Sequence, residues 1–323
     1  MSIYENRPMS SPYRHLISID ALSISDITNL MTQAAYYEKH PYCTCLQNKI
    51  VGNLFFEAST RTHCSFQAAI QRCGGSSIDL HMQYSSMKKG ETWEDTVKTM
   101  EQYCDILVIR HPEKGVFEKC TPLVQIPIIN AGDGIGEHPT QALLDLYTIQ
   151  QSHDIWKPLH IAFCGDLKHS RTCHSLIRLL DRLQTQITFY FVSDSFLQLD
   201  DTFVSSLRNQ YVYESDLETV LPVVDVLYMT RLQKERMEWN NQGENEKKGS
   251  IQRFQMTNER LNMAKPTMIL MHPLPRNEEL SVCCDTNPRS KYFQQMKNGV
   301  YVRMAILRGT LYGEPYTGNL GSP

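Results

Sequence analysis

Ile50-Val-Gly-Asn-Leu-Phe-Phe-Glu-Ala-Ser-Thr-Arg-Thr62 opens on apolar residues and closes on three hydroxyls and an arginine in four positions. The apolar part reads as a buried strand, Ile50–Phe56. Phe66, Ala69, Ile70 and Cys73 then recur at helical spacing, so a helix begins where the hydroxyls stand. A helix N-terminus presents unpaired N–H groups and the positive end of a dipole, which suits a phosphate. The hydroxyls of Ser59, Thr60 and Thr62 and the forked guanidinium of Arg61 complete an anion cradle without glycines. The plainer reading has Ser59 or Thr60 capping the helix and Arg61 solvated.

Outward from this stretch, short apolar runs alternate with helical patterns. Strands are predicted at Ile106–Ile109, Ile126–Ile129, Leu159–Cys164, Ile187–Val192, Val224–Met229 and Met268–Met271. Helices are predicted at Trp93–Tyr103, Pro139–Gln151, around Ser175–Leu183 and around Ile251–Ala264. This alternation predicts an α/β fold of two doubly wound domains, each a mainly parallel sheet flanked by helices. The polar stretch Ser152–Pro158 marks the boundary, giving domains 1–151 and 152–290. A last helix from Lys291 to about Leu307, in the region 290–310, is expected to pack back on the first domain. An N-terminal helix capped by Ser25 or Asp26 does the reverse, so that terminal helices cross between the domains. Gln83–Glu91 and Asn240–Ser250, polar and without periodicity, read as mobile loops.

Composition narrows the function classes. The 323 residues are 41% hydrophobic and 21% charged, which excludes a disordered or collagen-like chain. No run approaches the length of a membrane span, and the start lacks a secretory h-region, so a cytoplasmic chain with reduced thiols is expected. The net charge of −3, from 32 basic and 35 acidic residues, argues against a surface for nucleic acid. It leaves room for a small basic pocket. Among the ten cysteines, Cys43-Thr-Cys45 and Cys283-Cys284 are the close pairs, and neither has a zinc-knuckle gap, so no metal site is predicted.

Other strand ends carry matching chemistry. Arg110 directly follows Ile106–Ile109, and His138-Pro-Thr-Gln141 opens a helix past the Gly-rich turn Ala131–Gly136. In open parallel sheets, ligands bind beyond the carboxyl ends of strands. In the second half, Asp166-Leu-Lys-His-Ser-Arg171, Thr230-Arg-Leu-Gln-Lys-Glu-Arg236 and His272-Pro-Leu-Pro-Arg276 occupy equivalent places. Arg171, Arg231 and Arg236 are expected to face an interdomain cleft suited to an anion with more than one carboxylate. The plainer reading makes Arg231, Lys234 and Arg236 an exposed helix face.

Ser59–Thr62, His138–Gln141, Thr230–Arg236 and His272–Arg276, in this order and spacing, resemble the motif set of aspartate carbamoyltransferase catalytic chains, within the aspartate/ornithine carbamoyltransferase superfamily. Lys88-Lys-Gly-Glu-Thr92 and Gly165-Asp-Leu-Lys168 fit the bacterial type. The resemblance implies carbamoyl phosphate and L-aspartate as substrates, N-carbamoyl-L-aspartate and phosphate as products, and a place at the committed step of pyrimidine (UMP) biosynthesis. It implies that domain 1–151 takes carbamoyl phosphate and 152–290 takes aspartate. Ser59, Thr60, Arg61, Thr62 and Arg110 then bind the phosphate, while Thr62, Arg110 and His138 face the carbonyl oxygen as an oxyanion site. Gln141 and the backbone carbonyls near Pro273 and Leu274 hold the carbamoyl nitrogen. Arg171, Arg231 and Gln233 bind the aspartate carboxylates.

Ser85 and Lys89 match residues that reach a neighbouring subunit's site, implying a homotrimer with shared sites. Glu57 matches a residue that bridges to Arg171 and Arg236 on domain closure. The resemblance implies no cofactor and no metal in the reaction. It also admits a zinc-bearing regulatory chain as partner in a larger holoenzyme, contacted near Arg110–Gly115. His63 departs from the family pattern, which has arginine there, and Asn240–Ser250 is longer and more polar than usual. An ornithine carbamoyltransferase would need a cysteine within His272-Pro-Leu-Pro275 and a different amine-side motif. A non-catalytic scaffold homologue would have lost an essential side chain, whereas Arg61, Lys89, Arg110, His138, Arg171 and Arg231 are all present.

Overall fold

His15–Leu16 (β1), Ile50–Phe55 (β2), Ser76–His81 (β3), Ile106–His111 (β4) and Ile128–Asp133 (β5) form a parallel sheet in the order β1-β5-β4-β2-β3. A second parallel sheet, β10-β9-β6-β7-β8, is built from Leu159–Cys164 (β6), Ile187–Val192 (β7), Gln210–Glu214 (β8), Val226–Met229 (β9) and Ile269–Met271 (β10). The computed structural model describes residues 15–81, 86–183, 186–231 and 253–313. By internal contacts these fall into two units. One holds the residues up to Thr140 together with those from Asn298 onward, and the other holds Gln141–Lys297. The division falls inside the helix Pro139–Gln150, whereas Ser152–Pro158 lies past its end.

The expected two-domain α/β architecture of parallel sheets with flanking helices is what forms. The apolar runs become central strands because a parallel sheet is covered on both faces. All six residues of β4 and of β5 are buried. β5 begins two residues later than expected, at Ile128, and continues to Asp133. Helices Ile24–Lys39 (α1), Thr60–Arg72 (α2), Trp93–Glu101 (α3), Val116–Cys120 (α4) and Pro139–Gln150 (α5) lie in the first half. In α2, Thr62, Phe66, Ala69 and Ile70 turn inward at helical spacing. From Asn298 the last helix, Tyr292–Tyr312, belongs to the first unit, where the Arg303 guanidinium lies 5.1 Å from the centre of the Phe66 ring.

Two local expectations are corrected. The cap of α1 is Ser23, which closes a capping box with Asp26, so Asp26 acts at the third helical position. The helix expected over Ile251–Ala264 is not continuous: of its described residues, 253–254 are helical and a separate turn spans Asn258–Leu261. The preceding Met256 is taken up by a bridge to Leu280 instead. Three strands, β1, β3 and β8, go beyond those expected from the apolar runs, and all three are sheet edges.

Candidate active site

Each sheet reverses its winding once, and the polar motifs stand at those reversals. In the first sheet β2 leads to β3 on one side and the chain then crosses to β4 on the other. The Phe55–Arg110 register pair lies at that switch, and the Phe56 N–H donates to the Arg110 carbonyl at 2.8 Å. Because β2, β4 and β5 are parallel neighbours, the segments at their carboxyl ends emerge at one edge: Glu57–Thr62, Arg110 and the turn leading to His138.

Ser59 occupies the N-cap of α2 with extended backbone, yet its side chain makes no capping hydrogen bond. The plain capping role is therefore not the one it has. Thr60 and Arg61, in the first turn, are exposed, while Thr62 is buried. Thr62 Oγ1 lies 3.4 Å from His138 Nε2, itself buried. Arg110 is buried too: Nη1 donates to the Ala131 carbonyl at 3.4 Å and Nη2 pairs with Glu57 Oε2 at 2.8 Å. The turn that delivers His138 is tightly built. Asp133 accepts N–H bonds from Glu137 (2.5 Å) and Gly115 (3.1 Å). A Cβ on Gly134 would meet the Pro112 carbonyl oxygen at 2.3 Å. Glu137 in turn accepts from the Ser18 hydroxyl (2.8 Å) and the Ile19 N–H (3.0 Å), fixing the turn to the segment after β1.

The second sheet repeats the plan. β6 is followed by β7 and β8 on one side and flanked by β9 and β10 on the other, so its switch lies between β6 and β9. The Thr230 N–H donates to the Cys164 carbonyl at 2.8 Å, and a Cβ on Gly165 would meet the Thr230 carbonyl oxygen at 2.4 Å. Arg171, the first residue of the helix Arg171–Arg182, and Arg231, just past β9, are both half-buried beyond these strand ends. Arginine in the first helical turn is opposed by the helix dipole, so local helix energetics do not explain Arg171.

A buried carboxylate supports the rest of this unit. Asp145, fully buried, accepts from Gln141 Nε2 (2.9 Å), Gln295 Nε2 (2.6 Å) and Tyr228 Oη (2.8 Å). Burial, then the adjacent Asp145, push the Tyr228 phenol well up, keeping it a neutral donor. Gln295 Oε1 accepts the His272 N–H at 3.0 Å, and His272 Nδ1 accepts the Leu274 N–H at 2.8 Å. On its other side His272 Nε2 lies 3.0 Å from Glu279 Oε1. Burial raises the Glu279 carboxyl, but the bonds from His272 and the Asn277 N–H outweigh it and hold it below the usual range. Leu274 has φ +54°, a left-handed backbone that a leucine adopts only where its surroundings enforce it. A continuous hydrogen-bonded chain therefore joins Gln141 to the Pro273–Leu274 backbone through Asp145, Gln295 and His272. Neither Asp145 nor Gln295 is among the residues expected from the sequence. The available signal is one aspartate within the apolar run Ala142-Leu-Leu-Asp-Leu-Tyr-Thr-Ile149.

Of the remaining expected residues, Lys89 is exposed at the end of the short turn Ser86–Lys89. Ser85, Gln233 and Arg236 lie outside the described residues. Glu57, expected to bridge to Arg171 and Arg236, pairs with Arg110 in its own unit. His63 turns away from the Ser59–Thr62 cradle and bonds Asp79 Oδ1 at 2.8 Å, beside Asn53 Nδ2 (2.9 Å) and Gln67 Nε2 (2.9 Å). Burial raises the Asp79 carboxyl, and the bonds from Asn53, Gln67 and His63 outweigh it.

Two doubly wound parallel sheets, each with arginines and hydroxyl or amide side chains past its switch point, define a two-domain α/β protein of the small-anion-binding class. Residues 14–151 match the carbamoyl-P binding domain of aspartate/ornithine carbamoyltransferase, and residues 157–310 match the Asp/Orn binding domain. The chain belongs to the aspartate/ornithine carbamoyltransferase family. It is 43% identical over 299 residues to the aspartate carbamoyltransferase catalytic subunit of Archaeoglobus fulgidus, covering 91% of this chain and 98% of that one. It is 45% identical over 265 residues to the multifunctional protein pyr1-3 of Dictyostelium discoideum, spanning 81% of this chain but only 12% of that longer protein. The crystal structure of Trypanosoma cruzi aspartate transcarbamoylase with N-(phosphonacetyl)-L-aspartic acid superposes with a TM-score of 0.88 at 39% identity, covering 94% of this chain and 98% of that one.

Proposed function

We propose that this chain transfers the carbamoyl group of carbamoyl phosphate to the α-amine of L-aspartate, giving N-carbamoyl-L-aspartate and inorganic phosphate at the committed step of pyrimidine biosynthesis. The observation that carries this reading is the placement of Thr62, Arg110 and His138 at the first switch point. Arg171 and Arg231 stand at the second.

The donor phosphate sits on Ser59, Thr60, Arg61, Thr62 and Arg110, at the α2 N-terminus where N–H groups and dipole favour an anion. Thr62 Oγ1 and His138 Nε2 are close enough for one carbonyl oxygen to accept from both, with Arg110 adding charge where the tetrahedral intermediate becomes negative. Gln141 offers Oε1 to the carbamoyl NH2, joined by the carbonyls of Pro273 and Leu274. Arg171, Arg231 and Gln233 hold the aspartate carboxylates. The neutral amine attacks the carbamoyl carbon, the bond to the phosphate oxygen breaks, and phosphate leaves and can take up the amine proton. Holding both reactants in one orientation supplies several kcal/mol, so little covalent work falls to the protein.

The same reading makes the enzyme a cytoplasmic homotrimer in which Ser85 and Lys89 complete a neighbouring subunit's site, and gives Glu57 and Arg236 the closing of the two domains. A zinc-bearing regulatory chain is a further partner of this reading. Relatives named as catalytic subunits of aspartate carbamoyltransferase support it. The bisubstrate compound N-(phosphonacetyl)-L-aspartic acid tests it. Calorimetric titration should show saturable binding that carbamoyl phosphate displaces and that Arg231→Ala abolishes. Absence of binding would contradict the reading.

A further inference from the structure

Cys43 and Cys45 precede β2, and Cys73 caps the C-terminus of α2. The fold brings their three sulfurs within 4.8 Å of one another, with the Cys43 and Cys45 Sγ atoms 3.2 Å apart. Among the described residues this is the one grouping of three such ligand side chains. The backbone, rather than the thiols, sets the arrangement. The Cys43 N–H donates to the Arg72 carbonyl and the Leu46 N–H to the Cys73 carbonyl, both at 2.8 Å. Gly74 takes φ +77°, and a Cβ there would come within 3.3 Å of the Cys43 carbonyl oxygen and 3.4 Å of the Thr44 Cα. Tyr312 Oη donates to the Cys45 carbonyl at 2.8 Å, and Tyr37 Oη lies 3.8 Å from Cys45 Sγ.

Sequence spacing alone argues against a metal here, because Cys43 and Cys45 are too close to act as a zinc knuckle and Cys73 is remote. The structure supplies the third ligand. Tetrahedral zinc with bonds of about 2.3 Å needs sulfurs roughly 3.8 Å apart, so the trio requires adjustments of about 1 Å or less. Thiolates select soft cations over magnesium or calcium. The negative end of the α2 dipole, where Cys73 stands, favours a cation as well. Cys73 is buried, whereas Cys43 and Cys45 are half-buried, which leaves one side of the trio open to a solvent ligand.

We propose that Cys43, Cys45 and Cys73 form a trithiolate site for a thiophilic d10 cation, zinc(II) or copper(I), which staples the segment before β2 to the C-terminus of α2. Binding releases the thiol protons to solvent. Zinc takes a water as fourth ligand; copper(I) is satisfied by the three sulfurs. The staple lies at the opposite end of α2 from Ser59–Thr62, so it acts on stability rather than on the chemistry.

The purified, assembled protein, reduced and free of oxygen, is titrated with cobalt(II) as a spectroscopic substitute for zinc. In a second arm it is titrated with copper(I) against a chromophoric chelator. Stoichiometric binding is expected in one arm, identifying the ion, and in the cobalt arm with thiolate charge-transfer absorption that zinc removes. Cys43→Ser and Cys45→Ser should each weaken it by ~10-fold or more. The bound ion should also raise the urea midpoint of the wild type but not of these variants. Cys73→Ser tests the buried ligand; should it fail to fold, the Cys43→Ser/Cys45→Ser double variant serves instead. The proposal is overturned if neither ion binds above the level of the double variant, or if binding survives these substitutions unchanged.

Discussion

Gln141 Nε2 donates to Asp145 Oδ1 at 2.9 Å, so the Gln141 amide turns its nitrogen to the carboxyl group and its oxygen away from it. Its oxygen is left to accept, which is the polarity that a carbamoyl NH2 demands. Asp145 also receives Gln295 and Tyr228, so three donors converge on one fully buried group.

Asp145→Asn can satisfy fewer of these donors and frees the Gln141 amide to flip. Loss of a hydrogen bond to a charged group costs about 1.5–3 kcal/mol, so kcat/KM for carbamoyl phosphate should fall roughly 10- to 100-fold. Steady-state kinetics, with the far-UV spectrum as a folding control, decide this. An unchanged kcat/KM would remove Asp145 from the positioning of Gln141.

Arg61 is exposed in the first turn of α2, so its removal leaves the core intact. Arg61→Ala should lower kcat by ~100-fold or more, as expected for losing a donor at a developing charge, with an unchanged melting temperature.

The proposed sharing of sites between subunits gives that variant a second use. Preparations of Arg61→Ala and of Lys89→Ala, each expected to be inactive, are mixed under conditions of proven subunit exchange. Activity should return, because some sites then combine an intact Arg61 with an intact Lys89. If exchange restores nothing, the sites are self-contained.

Glu57 holds Arg110 at 2.8 Å, and under the proposed function it competes with an incoming phosphate for the same guanidinium. Glu57→Gln should lower KM for carbamoyl phosphate several-fold, yet lower kcat if the carboxylate is later needed to hold the domains closed. A split of this kind between KM and kcat distinguishes the exchange of partners from a purely structural pair.

His111, His153 and His174 are all held below the usual histidine range, in each case chiefly by burial. Each therefore binds fewer protons folded than unfolded as pH falls past about 6.5, the unfolded value. Stability is fully present above that value and declines as pH drops toward the lower, folded one. Urea midpoints at about pH 7.5 and about pH 5.5 should show this fall. His174→Gln, which can still donate to the Leu167 carbonyl that His174 Nε2 contacts at 2.7 Å, should show a shallower one.

The central strands are legible because burial on both faces leaves unbroken apolar runs such as Ile106–Ile109 and Leu159–Cys164. The edge strands are not: Ser76-Ser-Ile-Asp-Leu-His81 carries the polar side chains that protect an exposed edge, and four of the five residues in Gln210–Glu214 are exposed. Ser59–Thr62, Arg110 and His138 can be read at strand ends, because a parallel sheet carries ligand-binding groups at one edge. Their supports cannot. The link from Asp145 through Gln295 to His272 joins residues far apart in sequence and has no local pattern. The same holds for Cys73, which meets Cys43 and Cys45 only because the α2 terminus returns to the segment before β2.

Turnover with two amines decides between the possible acceptors most directly. Purified protein is supplied with labelled carbamoyl phosphate and either L-aspartate or L-ornithine, and the carbamoylated product is quantified. Labelled N-carbamoyl-L-aspartate should accumulate with equimolar release of phosphate, and the ornithine reaction should stay at background. Product from ornithine alone, or from neither amine, would contradict carbamoyl transfer to aspartate by this chain.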